Sequence, residues 1–232
     1  MSGHIFRELE KLKKKVLILG TRVEETLHDA VRSLENRDLE LAQRVIDLDI
    51  EIDFMEVDIE EECLKVLALY QPVAADLRLI VAVLKINNDL ERVGDIAVNI
   101  AERATFLGSR SPVTVEFDFR RMSEETENML KLSLDALVNA DVSMARQVCI
   151  ADDIVDNINR KMYIQVQDAI RKHPEDLDAF IHILSISRHL ERIADLATNI
   201  AEDVIYMAHG EIVRHRVEDY VHGAHPRQDK PA

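Results

Sequence analysis

The chain has 232 residues, 47% of them hydrophobic, 4% aromatic and 31% charged, with 6 Gly, 5 Pro and no Trp. So large an apolar share excludes a mostly disordered chain, and so few turn residues exclude an all-β domain, which needs a turn roughly every ten residues. A formal charge of −15, from 44 acidic against 29 basic residues, argues against nucleic acid and anionic lipid, which are bound through basic surfaces.

Breakers and apolar spacing predict six long helices, over about 4–36, 38–70, 72–107, 116–139, 141–172 and 174–209. The first holds the one dense basic cluster, Lys11, Lys13, Lys14 and Lys15, too small to reverse the overall charge. Its E-x-x-H pair, Glu25 and His28, stands alone and points away from the apolar stripe, which excludes a ferritin-like di-iron core. Asp38 suits the N-cap of the second helix, whose apolar stripe is Val45, Leu48, Ile52, Met55, Ile59, Cys63 and Val66. Pro72 suits the first turn of the third helix and Pro174 that of the sixth; Asp141 caps the fifth, and Gly210 is a C-terminal stop. Gly108-Ser-Arg-Ser-Pro112 is the plausible inter-domain linker.

No signal-peptide stretch is expected at the N-terminus, and no apolar run reaches the roughly 18–20 residues that span a bilayer. Action at a membrane would go through a docking partner. Cys63 and Cys149 form no C-x-x-C pair, so they read as small hydrophobes in a reducing cytosol.

The chain repeats. Asp89–Glu102 and His189–Glu202 match at nine of fourteen positions with an offset of 100. Upstream, Asp38, Ala42, Val45, Asp49 and Asp53 match Asp141, Ala145, Val148, Asp152 and Asp156 with an offset of 103. The expected fold is all-α, two tandem, duplicated three-helix bundles over 1–110 and 111–216, followed by a disordered tail at 217–232.

Within the repeat, Glu91 and Asp95, and again Glu191 and Asp195, are four residues apart and neighbours on a helix face. Asp49 with Asp53, and Asp152 with Asp156, place a second pair on the preceding helix. Two such pairs on adjacent helices offer hard oxygen donors suited to Mg²⁺, Mn²⁺, Ca²⁺ or iron. A solvated acidic face is the alternative reading of the same spacing. Asn99, Asn199, Glu102 and Glu202 lie in the same stripes as lesser candidates. Arg92 and Arg192 are expected to pair with Asp95 and Asp195 three residues on, and Gly94 to permit close helix approach.

Helix two carries a second apolar stripe, Ile46, Ile50, Phe54, Val57 and Leu64, whose first four counterparts are Cys149, Asp153, Asn157 and Arg160. Such a face packs between the bundles or meets a partner, and Ile50, Phe54 and Val57 are candidate docking residues. Asp76, Leu77 and Arg78 are candidates too, because the repeat does not preserve them; Asp76 also suits helix-start capping. No nucleotide-binding or hydrolase motif is present, so no catalytic residue is expected.

The paired L-E-R-[IV]-x-D-x-A-x-N-I-A-E segments, Gln71-Pro-Val-Ala-Ala-Asp-Leu-Arg78 and the ending Tyr206–His215 resemble the PhoU family of phosphate-transport regulators, over residues 4–216. The resemblance implies a cytoplasmic, non-catalytic adaptor. It would relay the state of the Pst transporter, through its ATPase subunit, to a PhoR-type histidine kinase, keeping starvation genes off. It also implies metal ions at E/D-x-x-x-D motifs, and a homodimer is expected. The alternative function is a metal-dependent phosphate binder or weak phosphohydrolase.

Overall fold

The computed structural model describes residues 2–113, 115, 117, 119–210 and 213; the tail expected at 217–232 lies outside them. Six helices follow in order: α1 Ser2–Asn36, α2 Leu39–Tyr70, α3 Ala74–Gly108, α4 Phe119–Asn139, α5 Val142–Lys172 and α6 Leu177–His209.

The turns inside each half are built alike. Arg37 is left-handed at φ 53°, the Asp38 N–H donates to the Ser33 carbonyl at 2.9 Å, and the Asp38 carboxylate accepts from the Leu41 N–H. Between α4 and α5, Ala140 takes φ 48°, the Asp141 N–H donates to the Ala136 carbonyl at 3.0 Å, and the Asp141 carboxylate accepts from the N–H groups of Ser143 and Met144. A left-handed non-glycine residue costs about 1–2 kcal/mol, and an aspartate N-cap returns about 1 kcal/mol. Gly210, at φ 75°, ends α6 as expected.

Two helix starts differ from expectation. Pro72 lies ahead of α3, because Gln71 is left-handed and caps α2 while Val73 is extended. A proline keeps its predecessor out of the right-handed helical region, so the chain must turn before α3 can begin. Pro174 opens a 3₁₀ turn, Pro174–Asp176, and α6 itself starts at Leu177. The segment after Gly108 is no free linker: Val113, Val115 and Phe117 pack on the core, and the Phe117 ring meets Phe180 edge-on at 6.3 Å. The Arg37 guanidinium ties this end down by donating to the carbonyls of Leu107, Gly108 and Arg110.

Helices α1, α2 and α3 pack on one another, as do α4, α5 and α6. The halves join where α1 meets α4 and α3 meets α6, which leaves α2 and α5 on the outside. One continuous core results, with Leu12, Leu19, Leu27, Ile86, Leu90, Ile100 and Phe180 fully buried. α3 and α6 run antiparallel. Lys85 Nζ lies 2.9 Å from Asp203 Oδ1 at one end, and the Phe106 and His182 rings stack with centroids 3.7 Å apart at the other.

Candidate functional site

The repeat brings the eight acids together as two quartets, one per half. Each arises from i,i+4 pairs on two adjacent helices, α2 with α3 and α5 with α6. In the first quartet burial pushes the Asp49 carboxyl up, and the charges of Asp53 and Asp95 push it further. Glu91 is raised by burial, then by Asp95, Asp53, Glu56 and Asp49. The charges that act most strongly on these two groups are negative, and Asp49 Oδ1 is buried with no hydrogen-bond partner among the described residues.

The second quartet is arranged alike but is partly neutralised. Asp152 is pushed up to about 6, first by burial and then by Asp195, Asp156, Asp153 and Glu191. Burial and neighbouring acids also raise Glu191 and Asp195, while Arg192 pulls both down and Arg188 pulls Glu191 down. Asp156 is bonded to Arg160 at 3.2 Å. In donor type and charge both quartets suit a hard cation, and the orphaned Asp49 oxygen is a free ligand atom. As the side chains stand, however, no group of three or more His, Cys, Asp or Glu among the described residues is placed to hold an ion. A cation would have to draw the carboxylates inward.

The lesser candidates disperse. Asn99 turns back and donates to the Asp95 carbonyl at 2.7 Å, and Glu102 pairs with Arg103 at 3.1 Å. Glu202 is buried, unlike its exposed counterpart Glu102, and Asn199 is half-buried. Arg92 does not reach forward to Asp95; its nearest acid is Asp89 Oδ1, at 3.7 Å. Helical side chains lean toward the N-terminus, which favours the acid three residues before, although Arg22 reaches forward to Glu25 at 3.3 Å, so the lean does not fix the partner. Gly94 behaves as expected, lying against Ile52 of α2.

Of the docking candidates, Asp76 lies in the first turn of α3 but makes no capping hydrogen bond. Leu77 is exposed, and the Arg78 side chain lies against Gly210 at the C-terminal end of α6, where a cation meets the negative end of the helix dipole. Ile50, Phe54 and Val57 do not pack between the bundles, because among the described helices α2 touches only α1 and α3. Sequence reasoning missed three polar contacts. Lys85–Asp203 joins the halves, with Asp203 2% exposed. Asn87 donates to the Glu56 carboxylate at 3.1 Å, and its repeat counterpart Ser187 donates to Asn159 at 2.7 Å. An Asn in phase with the apolar stripe of α3 was the available signal.

No described helix is long and apolar enough to cross a membrane. The family model of the PhoU domain matches the chain twice, over residues 16–104 and 119–204, one match in each half. A phosphate-specific transport system accessory protein PhoU homolog of Aquifex aeolicus is 39% identical over 212 residues, 91% of this chain and 96% of that one. The Escherichia coli phosphate-specific transport system accessory protein PhoU is 33% identical over 217 residues, 93% of this chain and 89% of that one. The crystal structure of PhoU from Pseudomonas aeruginosa superposes with a TM-score of 0.86 at 36% identity, over 88% of this chain and 99% of that one. That of the phosphate transport system regulatory protein PhoU from Streptococcus pneumoniae gives 0.84 at 30% identity, over 90% and 99%. With its duplicated carboxylate pairs and its two matched halves, this chain belongs to the PhoU family.

Proposed function

We propose that this protein is a cytoplasmic adaptor of the phosphate-specific transport system. It docks on the transporter's ATPase subunit and on a PhoR-type histidine kinase, and it keeps phosphate-starvation genes off while phosphate is plentiful. The observation that carries this reading is the near full-length similarity to phosphate-specific transport system accessory proteins. The exposed apolar face of α2 supports it, since an adaptor needs a surface that its own fold leaves unused.

A second reading concerns the quartets. A divalent or iron ion would offset the burial and the mutual repulsion that raise Asp49, Glu91, Asp152, Glu191 and Asp195, and would give the Asp49 oxygen a partner. One variant with Glu91, Asp95, Glu191 and Asp195 all changed to Ala tests both readings in one strain. Metal content of protein purified without chelators should fall, and a phosphate-starvation reporter should escape repression. Unchanged metal content would refute the site. Wild-type protein that fails to restore repression in a strain lacking its own family member would refute the adaptor.

A further inference from the structure

We propose that the outer face of α2 is a docking groove for one basic amphipathic helix of a partner protein. The inference rests on the adaptor reading and specifies the chemistry of what is bound.

Ile50, Phe54, Val57 and Leu64 are 63%, 72%, 50% and 54% exposed. With half-buried Ile46 they fall within about 80° of the helix circumference, at 3.6 residues per turn. The stripe from Ile46 to Leu64 is about 27 Å long at 1.5 Å per residue, the length of a five-turn helix. Aspartates and glutamates line both sides. Asp47, Glu51 and Asp58 form one row, and Asp53, Glu60 and Glu56 the other. Glu61 interrupts the stripe ahead of Leu64.

The charge of the two rows decides what fits. On the α1 side, Lys15 holds Asp58 at 2.7 Å and Arg22 holds Glu51 at 2.7 Å. On the α3 side Glu56 and Glu60 form no ion pair among the described residues, nor does Asp53, which belongs to the first quartet; the polar contacts there are those of Glu56 with the neutral Asn87. Arg44 and Lys65 are the only basic residues of α2. An apolar stripe with an unneutralised acidic margin matches a helix whose apolar face is bordered by Lys or Arg. A symmetric pairing of two copies through this face would set the same acidic rows against each other, so a second copy fits poorly. The equivalent face of α5 carries Asp153, Asn157 and Arg160, all exposed. Its exposed apolar residues, Ile150, Ile154, Tyr163 and Ile164, are spread over about half the circumference, so between these two outer helices only α2 has a narrow apolar stripe.

The test uses the full chain and three fluorescent peptides about five helical turns long. One is an amphipathic Leu–Lys helix, one has Glu in place of Lys, and one is a scrambled Leu–Lys peptide lacking an apolar face. The Leu–Lys helix should bind in fluorescence anisotropy, more weakly at high salt, and the other two should bind at least about tenfold more weakly. Phe54→Asp and the milder Phe54→Ser should each weaken it by about tenfold or more, and Glu60→Lys by several-fold. Glu60 lies outside the carboxylate quartet, so its replacement leaves that site intact. Asn157→Asp on α5 should change nothing. Melting temperature of each variant checks folding, which exposed positions should preserve.

Equal binding of the scrambled peptide, or unchanged binding to both Phe54 variants, overturns the proposal. So does a wild-type oligomer that Phe54→Asp converts to monomer without affecting the peptide, since the occupant is then a second copy. Loss of peptide binding in a Phe54 variant that still represses the starvation reporter overturns the groove as the adaptor's contact and leaves the adaptor reading standing. Wild-type protein that cannot repress overturns the adaptor reading itself, and this inference with it.

Discussion

A β-carbon added at Gly94 would lie 3.0 Å from Ile52 Cδ1 and 3.2 Å from its Cγ2. In the second half the same two positions hold Ala194 and Val155, both fully buried. One methyl group has moved between helices, from the second to the third, and the pair keeps its volume. The perturbation that tests this is the cycle Gly94→Ala, Ile52→Val and the double variant. Gly94→Ala gains about 1 kcal/mol of helix propensity but overpacks by about 1–3 kcal/mol, so it should cost up to about 2 kcal/mol net. Ile52→Val alone opens a small void worth about 0.5–1.5 kcal/mol. Together they remove the nearest clashing atom and keep the propensity gain, so the double variant should match or exceed the wild type. The coupling should be about 1–3 kcal/mol, read from urea unfolding followed by far-ultraviolet circular dichroism. Costs that add to within about 0.5 kcal/mol would refute the compensation. Ile52 and Gly94 each precede an acid of the first quartet, so the same contact sets the spacing of the helices that carry Asp53 and Asp95.

Two further outcomes follow from the same geometry. Asp152, raised to about 6 in the folded chain, contributes stability fully present below its unfolded pKa of about 3.9 and lost as pH rises through 6. Allowing for its partial exposure, Asp152→Asn should stabilise metal-stripped protein by about 1 kcal/mol at pH 7.5 and by nothing near pH 4; an equal gain at both would refute the electrostatic cause. Lys85→Met should cost about 2–3 kcal/mol in chemical denaturation, less than a fully buried pair because Lys85 reaches water. A neutral result would mean that the pair adds nothing to the joint between the halves.

Much of this was legible because it is local. Asp38 and Asp141 announce their helices by a capping chemistry that acts within three residues, and the repeat confirms each by the other. The four carboxylate pairs follow from helix phase and a constant offset. Orientation was less legible. Nothing in the order of residues says that Arg92 leans back to Asp89, since that depends on the tilt of side chains along a helix. Nor does periodicity say what covers a second apolar face. Only the tertiary arrangement shows that α2 lies on the outside, so that Phe54 meets no other helix of the described fold. Asp203 was hidden for a similar reason: its partner, Lys85, lies on a helix 118 residues earlier.

The antiparallel crossing of α3 and α6 says something about ancestry. Under the offset of 100, Lys85 and Asp203 correspond to Ser185 and Arg103, while Phe106 and His182 correspond to Tyr206 and Ala82. The two ends of the crossing are therefore the same place seen twice, once furnished with an ion pair and once with stacked rings. A single ancestral unit of three helices could bury that face only by pairing with its own copy about a two-fold axis. Fusion into one chain freed the two ends to diverge, and it let one outer helix acquire a narrow apolar stripe that its twin does not share.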